Sequence, residues 1–314
     1  MKKSTLISLL LLALSLVLPI VLSERPSLIA YLNLIMIYAL SAQGLNLLLG
    51  YAGQVSLGHA AFMAIGGYTS AILVMQFGFN NIFSIISAIL LTGFCGLFVG
   101  FPSLRLSGFY LAIATMALGT ASADIIKRLS ITGGDQGLRN IPPLNIFSYE
   151  FVSEIQKYYL LLIILLIVFI LVKNLVNSRS GRALRAIRDA ELTAETMGIN
   201  IAYYKVVAFV ISSMIAGLSG ALYAHTISYL HPVNFGLSFS IELLAMTIVG
   251  GLATIWGPLL GVLFWVFLPR IIGARMEFLA TAFFGIMVIL SIRFFPRGLS
   301  EIIFRLERKL KLYS

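Results

Sequence analysis

Residues 181–204 read GRALRAIRDAELTAETMGINIAYY, the one long charged segment in an otherwise apolar chain. Arg182, Arg185 and Arg188 recur every three residues, and Asp189, Glu191 and Glu195 follow them. Leu184, Ile187 and Ala194 mark a narrower apolar side. The pattern predicts a short amphipathic helix with charges on one flank and a docking stripe on the other. Apolar segments long enough to cross a bilayer lie before it, at 158–176, and after it, at 205–228. The stretch is therefore a structured loop of a polytopic protein, placed where something outside the membrane can push on it.

Composition fixes the class. Hydrophobic residues make up 60% of the 314 and charged residues 11%, against roughly 25% charged in a soluble domain. Mean hydropathy is +1.00. The net charge of +10 sits at the ends of apolar spans and in loops. Orientation and contact with anionic membrane lipid explain it, and no nucleic-acid partner is expected. The one cysteine, Cys95, lies in an apolar run, so no disulfide forms within the chain and burial as a small apolar residue is expected.

Spans are expected near 5–22, 28–49, 56–76, 82–101, 109–126, 158–176, 205–228, 238–253, 257–272 and 277–294. The first follows two lysines and resembles a signal peptide. It is longer than a usual signal and lacks a clear small-x-small cleavage site, so it reads as a retained span. With the N-terminus inside, fifteen basic residues fall on the cytoplasmic side and seven outside. The expected fold is an all-α polytopic membrane bundle of about ten transmembrane helices (eight to ten), with both termini cytoplasmic. It forms one domain over 1–314, with a periplasmic loop at 131–157, a cytoplasmic coupling loop at 178–204 and a cytoplasmic tail at 296–314. The outer loop is rich in turn formers and too short for a catalytic domain.

No constellation for metal binding or nucleophilic catalysis is present. His59, His225 and His231 have no ligand spacing, and no glycine-rich phosphate loop exists, so the chain is not expected to be an enzyme or to bind ATP itself. Polar residues inside spans are the remaining candidates. In Gly50–Leu73, GYAGQVSLGHAAFMAIGGYTSAIL, small residues crowd around Gln54, Ser56, Gly58 and His59. The segment reads as a tightly packed interior helix, a wall of the translocation path, or both. Asn33, Gln43 and Asn46 lie in the preceding span. Gln43 and Asn46 are three apart and share a face that should look into the bundle, for interhelical hydrogen bonding or for substrate. Glu242, in SFSIELLAMTIVGG, is either a pathway carboxylate or a structural one reaching solvent about a turn from the outer end. Asp124 is expected to pair along its helix with Lys127 or Arg128. In Gly250–Gly261, GGLATIWGPLLG, the glycines and Pro258 read as a turn between two spans, with a broken helix lining a cavity as the alternative.

Four blocks together carry a resemblance. They are Gly44–Leu73; Ser107–Pro143 with SGFYLAIATMALG, TGGDQGL and IPP; Gly181–Ala224 with KVVAFVISSMIAGLSGALYA after the charged loop; and Ser240–Gly261. In this order the chain, over about 31–298, resembles the M-type permease subunits of bacterial branched-chain amino acid (leucine/isoleucine/valine) ABC importers. Two departures are visible. Counting back from Gly198, the Glu-Ala-Ala of the general importer loop pattern falls on Leu192, Thr193 and Ala194. Ala253 stands where a glycine is expected in GG-x-G-T-x-W-G-P.

The resemblance implies a pathway subunit paired with a second, homologous permease. Two cytoplasmic ATPases would carry ATP and Mg, and a periplasmic or lipid-anchored solute-binding protein would deliver substrate. This chain would hold no cofactor. Arg182, Arg185, Arg188, Asp189, Ala194, Glu195 and Gly198 would then form the ATPase-coupling region. Relatives of the same architecture for urea, short-chain amides or another small solute share these blocks. A secondary transporter coupled to ions or protons would need titratable groups near the bilayer midplane, and none stands out.

Overall fold

The computed structural model describes residues 15–106, 108–146 and 149–272, with positions 285–286, 289 and 298–301 beyond them. Among the described residues, a helical stretch at 15–21 is followed in order by α1 Pro26–Asn46, α2 His59–Met75, α3 Asn81–Gly100, α4 Gly108–Arg128, α5 Glu154–Asn177, α6 Arg179–Asp189, α7 Glu191–Thr196, α8 Ile201–Ile227, α9 Leu237–Gly250 and α10 Gly257–Ile272. A π-helical turn, Leu47–Tyr51, continues α1.

The helix starts are written locally. Pro26 stands in the first turn of α1, where no N–H is missed. Asn80 and Asn200 accept from Ile82 N (2.6 Å) and Tyr203 N (3.0 Å) at the starts of α3 and α8. Ser153 and Gln156 form a capping box on α5.

The bundle is all-α, with multiple long apolar helices. Five among the described residues are long and apolar enough to cross a membrane: α1 with its π turn, α3, α4, α5 and α8. The expectation of ten spans meets two limits here. The segments 5–22 and 277–294 lie wholly or mostly outside the described residues. Three further expected spans fall on helices too short for a full crossing: α2 at 17 residues and α9 at 14, both shorter than expected, and α10 at 16, which matches the expected 257–272. At 1.5 Å per residue they reach only about 21–26 Å, short of a hydrocarbon core of about 30 Å. Gly58 precedes α2 and Gly251 follows α9, and irregular chain adjoins both. That chain is buried in protein at Ala52, Gln54, Ser56 and Thr254, as backbone at membrane depth must be.

The core centres on α8, which packs on α1, α2 and α3. Its stripe Ser212, Ser213, Gly217, Gly220, Ala221 and Ala224 has no bulk, so neighbouring backbones come into contact. A Cβ on Gly220 would strike the Met63 carbonyl of α2, and one on Gly66 would strike the Gly217 backbone. Ser212 Oγ donates to Gly44 O of α1 at 2.7 Å, and Ser219 Oγ to Ile37 O at 2.7 Å. Close approach and interhelical hydrogen bonds take the place of a hydrophobic force that lipid does not supply.

The loop between α4 and α5 folds onto one end of the bundle. Strand β1 Leu138–Arg139 pairs antiparallel with β4 Tyr229–Leu230, and β2 Asn145–Ile146 with β3 Tyr149–Glu150. His225, fully buried, meets Pro142 O through Nδ1 (2.8 Å) and Ser70 Oγ through Nε2 (2.8 Å), which ties the loop to α2 and α8. Cys95 is half-buried on α3 rather than buried, because it stands on a partly exposed face of that helix. Asp124 forms no ion pair among the described residues; it is exposed on α4.

Gly220→Val should prevent α2–α8 contact and eliminate a monodisperse folded species in detergent, whereas Gly236→Ala, which meets nothing closer than Val233 O at 3.4 Å, should leave it unchanged. Fluorescence-detected size exclusion after mild heating separates the two outcomes.

Candidate functional sites at the loop and within the bundle

The charged loop folds as two helices, α6 and α7, with Ala190 extended between them. The expected apolar stripe is present but turns inward. Leu184 is 2% exposed, Ile187 3% and Ala194 3%, all packed within the chain. They are therefore not a docking stripe for another protein. The reason is that α6 follows α5 after a single residue, Ser178, and lies back against its end.

The arginines have the same local logic. Arg185 Nη2 donates to Val176 O at 3.2 Å and Arg182 Nη1 to Asn177 O at 3.3 Å, both carbonyls left over at the end of α5. Arg188 Nη1 donates to Gly50 O at 2.7 Å in the terminal π turn of α1. Its Nε and Nη2 hold Asp189 Oδ1 at 2.9 and 2.7 Å. Three residues read as partner contacts thus cap helices of this chain.

The outward surface lies on α7 instead. Leu192 is 80% exposed and Met197 79%, with Glu195 also exposed. Glu191 reaches back to Lys205 Nζ of α8 at 2.5 Å, where the Lys205 side chain is 7% exposed. Gly198 ends α7 at φ +80, with Ile199 N donating to Ala194 O at 3.1 Å. The left-handed turn needs glycine although open space surrounds it. Leu104, Glu191, Glu195 and Gly198–Ala202 line an open groove of about 530 Å³ beside it. Leu192 and Met197 lie off the period that defines the stripe, so periodicity does not mark them as a surface.

The polar candidates inside the bundle do not form one site. Asn33 Nδ2 donates to Glu154 Oε2 (2.8 Å) and Glu154 O (3.1 Å) at the start of α5. Glu154 is also paired with Lys157 at 2.7 Å, and Lys157 reaches Thr226 O of α8 at 3.3 Å. Asn33 is a tie between helices. Gln54 Nε2 reaches Ser103 Oγ at 3.3 Å. Gly58 lies against the Thr115 carbonyl of α4, and Leu57 N donates to Thr115 Oγ1 at 3.0 Å. His59 Nε2 meets Ser41 O at 3.0 Å. His59 Nδ1, Ser56 Oγ and both amide atoms of Gln43 are buried with no partner among the described residues. Glu242 faces Trp265 of α10, whose indole N–H it accepts, and lies near Tyr38. It forms no ion pair among the described residues.

Asn46 does bring elements together. Its Nδ2 donates to Thr254 O at 2.8 Å and its Oδ1 accepts from Ala253 N at 2.9 Å. Those residues form the Gly251–Trp256 connection, which is a turn between antiparallel helices: a Cβ on Gly250 would meet the Gly257 backbone, and one on Gly261 the Met246 carbonyl. Ala253 has φ +55, the conformation for which glycine is expected at that position. Trp256 packs on Phe169 of α5 with ring centroids 5.8 Å apart.

A family model described as the permease component of branched-chain amino acid transport systems matches residues 27–292. The chain belongs to that family. It is a multi-pass inner-membrane permease subunit of an ABC-type importer. The permease protein LivM of the high-affinity branched-chain amino acid transport system of Escherichia coli K12 is 30% identical over 291 residues, covering 85% of this chain and 68% of the relative. A probable branched-chain amino acid permease LivM of Methanocaldococcus jannaschii is 26% identical, covering 84% of this chain and 90% of its own. The guanosine ABC transporter permease NupQ of Bacillus subtilis is 26% identical, covering 60% and 64%. No solved structure matches the chain.

In this permease, Asn33→Leu should cost about 1–2 kcal/mol by leaving Glu154 one charge-assisted bond short. The expected result is a lower thermal midpoint in detergent with an unchanged KM for the imported solute.

Proposed function

We propose that this permease forms one half of the transmembrane path of a binding-protein-dependent importer that carries aliphatic, branched-chain amino acids into the cytoplasm. A second homologous permease forms the other half. Two cytoplasmic ATPases bind ATP and Mg, and a periplasmic or lipid-anchored binding protein delivers the substrate. In this reading the chain crosses the membrane about ten times with both termini inside, and α6 and α7 face the ATPases in the cytoplasm.

The observation that carries the need for a second permease is α4. It is the least apolar of the five long helices and also the least buried. Its exposed residues include Ala117, Thr120, Ala121 and the unpaired Asp124. Polar groups are disfavoured against hydrocarbon and small ones admit close helix contact, so this part of α4 suits another protein or a wetted path rather than lipid. An aliphatic zwitterion needs a path of few fixed charges, and the sparse charge of these helices supports that cargo.

The ATPase contact in this reading is α7, through Leu192 and Met197 with Glu195 at the rim, while Ala194 and Gly198 set the shape of the loop. ATP binding closes the ATPases, the loops move with them, and the permease pair switches between inward- and outward-open states. Coupling requires each partner to bind the two states unequally.

Labelled leucine uptake in cells carrying the whole importer, with and without this chain, tests the reading. Uptake should depend on the chain and on ATP, and isoleucine and valine should compete. Competition by guanosine or urea instead would reassign the cargo. Uptake that survives ATP depletion and collapses with the proton gradient would remove the ABC mechanism. Leu192→Glu and Met197→Glu should each lower uptake at least tenfold at normal membrane levels, because both side chains are about four-fifths exposed and support nothing inside the chain. Normal uptake in both would place the ATPase contact elsewhere.

A further inference from the structure

Arg188 and Asn46 are the ends of one polar connection that runs from the charged loop into the bundle. The Arg188 guanidinium is fixed by Asp189 on one side and donates to Gly50 O on the other. That carbonyl lies in the last turn of its helix, where no following helical N–H takes it. One turn earlier, Asn46 holds both Ala253 N and Thr254 O. Gly50 joins the two halves. A Cβ there would strike Asn46 Oδ1 and come within 2.5 Å of Ala253 N, so the end of α1 and the α9–α10 turn touch backbone to backbone. On the loop side Gly53, at φ +69, leaves room for Arg188 Cγ, which a Cβ would meet at 2.9 Å.

The far end of the connection is stiff. Thr254 Oγ1 donates to Gly251 O at 2.7 Å and accepts from Gly257 N at 3.1 Å. Leu299 N donates to Val249 O at 2.8 Å, so the chain beyond α10 is pinned at the same turn. Close contact along Gly250, Gly257, Met246 and Gly261 makes α9 and α10 one unit. Ala253 is kept in a left-handed conformation that alanine disfavours, and its N–H is the atom Asn46 holds.

We propose that this connection transmits movement of the charged loop to the α9–α10 hairpin, with Arg188, Gly50 and Asn46 as positioning residues of the transport cycle. The proposal rests on the ATP-driven reading above. Arg188 then acts inside the permease, not on the ATPase. Displacing α6 pulls on the end of α1, and α1 carries the hairpin with it through Asn46.

The test uses the complete importer in proteoliposomes, with Cys95→Ala and Trp256→Cys in this chain. Trp256 is 37% exposed in the turn itself. Maleimide labelling of the new cysteine is compared between the nucleotide-free and the ATP–vanadate-trapped states, beside ATP hydrolysis and leucine uptake. The parent should change its labelling rate several-fold on trapping. Arg188→Gln and Asn46→Ala should each bring that ratio to about 1 and lower uptake at least tenfold, while ATP hydrolysis stays within twofold. Arg188→Lys, which keeps a donor for Gly50 O, should recover part of both. The double variant should be no worse than either single one, as expected for two links of one chain. Where Arg188→Gln fails to insert, Asn46→Ala, an uncharged change, carries the test alone. A full labelling change in Asn46→Ala, or parallel loss of hydrolysis and uptake in Arg188→Gln, overturns the proposal. A parent whose labelling ignores nucleotide while its uptake still requires ATP also overturns the proposal, whereas uptake that does not require ATP refutes the ATP-driven reading itself.

Discussion

Backbone contact between α8 and α2 is the constraint from which the rest of the permease follows. Helices surrounded by apolar medium gain little from burying apolar side chains against one another, so they must gain from approach distance and hydrogen bonding. Gly217 and Gly220 of α8 let Gly66 and Met63 of α2 come to contact distance. Once these two are locked, α1 follows, because Ser212 and Ser219 of α8 donate to its Gly44 and Ile37 carbonyls. The third neighbour, α3, is drawn in at Gly93 and Gly96, which face Met214 and Ser213. A core built this way has few ways to deform and tends to move as rigid pieces.

Helix ends then become the vulnerable points, since each leaves backbone groups unpaired. The charged loop answers this demand first and any partner second. Arg182 and Arg185 cover the end of α5, Arg188 covers the end of α1, and Lys205 anchors α7 through Glu191. A loop attached to two helix ends is stiff enough to push on them. Its exposed remainder, Leu192 and Met197, is about four-fifths exposed among the described residues. The same residues that satisfy the backbone also join an outward surface to the bundle.

The helices were legible to within a few residues wherever apolar runs are bounded by Pro, Gly or Asn. The span expected at 28–49 ends in a π turn, and the one at 205–228 became Ile201–Ile227. Facing was less legible. The 3.6-residue pattern of Leu184 and Ile187 marks a buried side without saying what buries it, and here it is the chain itself. Polar residues behaved likewise. The shared face of Gln43 and Asn46 was right in pointing inward, yet only the fold could bring Asn46 to residues some two hundred positions later. Leu192 and Met197 gave no periodic signal, and exposure alone sets them apart. The glycine expected at Ala253 was the one local clue to the left-handed turn.

Asn46 and Gln43 also show why polarity within a span has no single meaning. Asn46 is saturated at both amide atoms by a backbone that cannot be moved cheaply, so it acts as a fixture. Gln43, one turn away and equally buried, has neither atom paired among the described residues. An amide left so in an apolar interior is disfavoured by roughly 1–3 kcal/mol for each unmade bond. A fixture beside an unsatisfied neighbour suits a helix end that is held firmly in one state while keeping hydrogen-bonding capacity for another arrangement. That contrast lies on the segment of α1 nearest Arg188, where movement of the charged loop would first be felt.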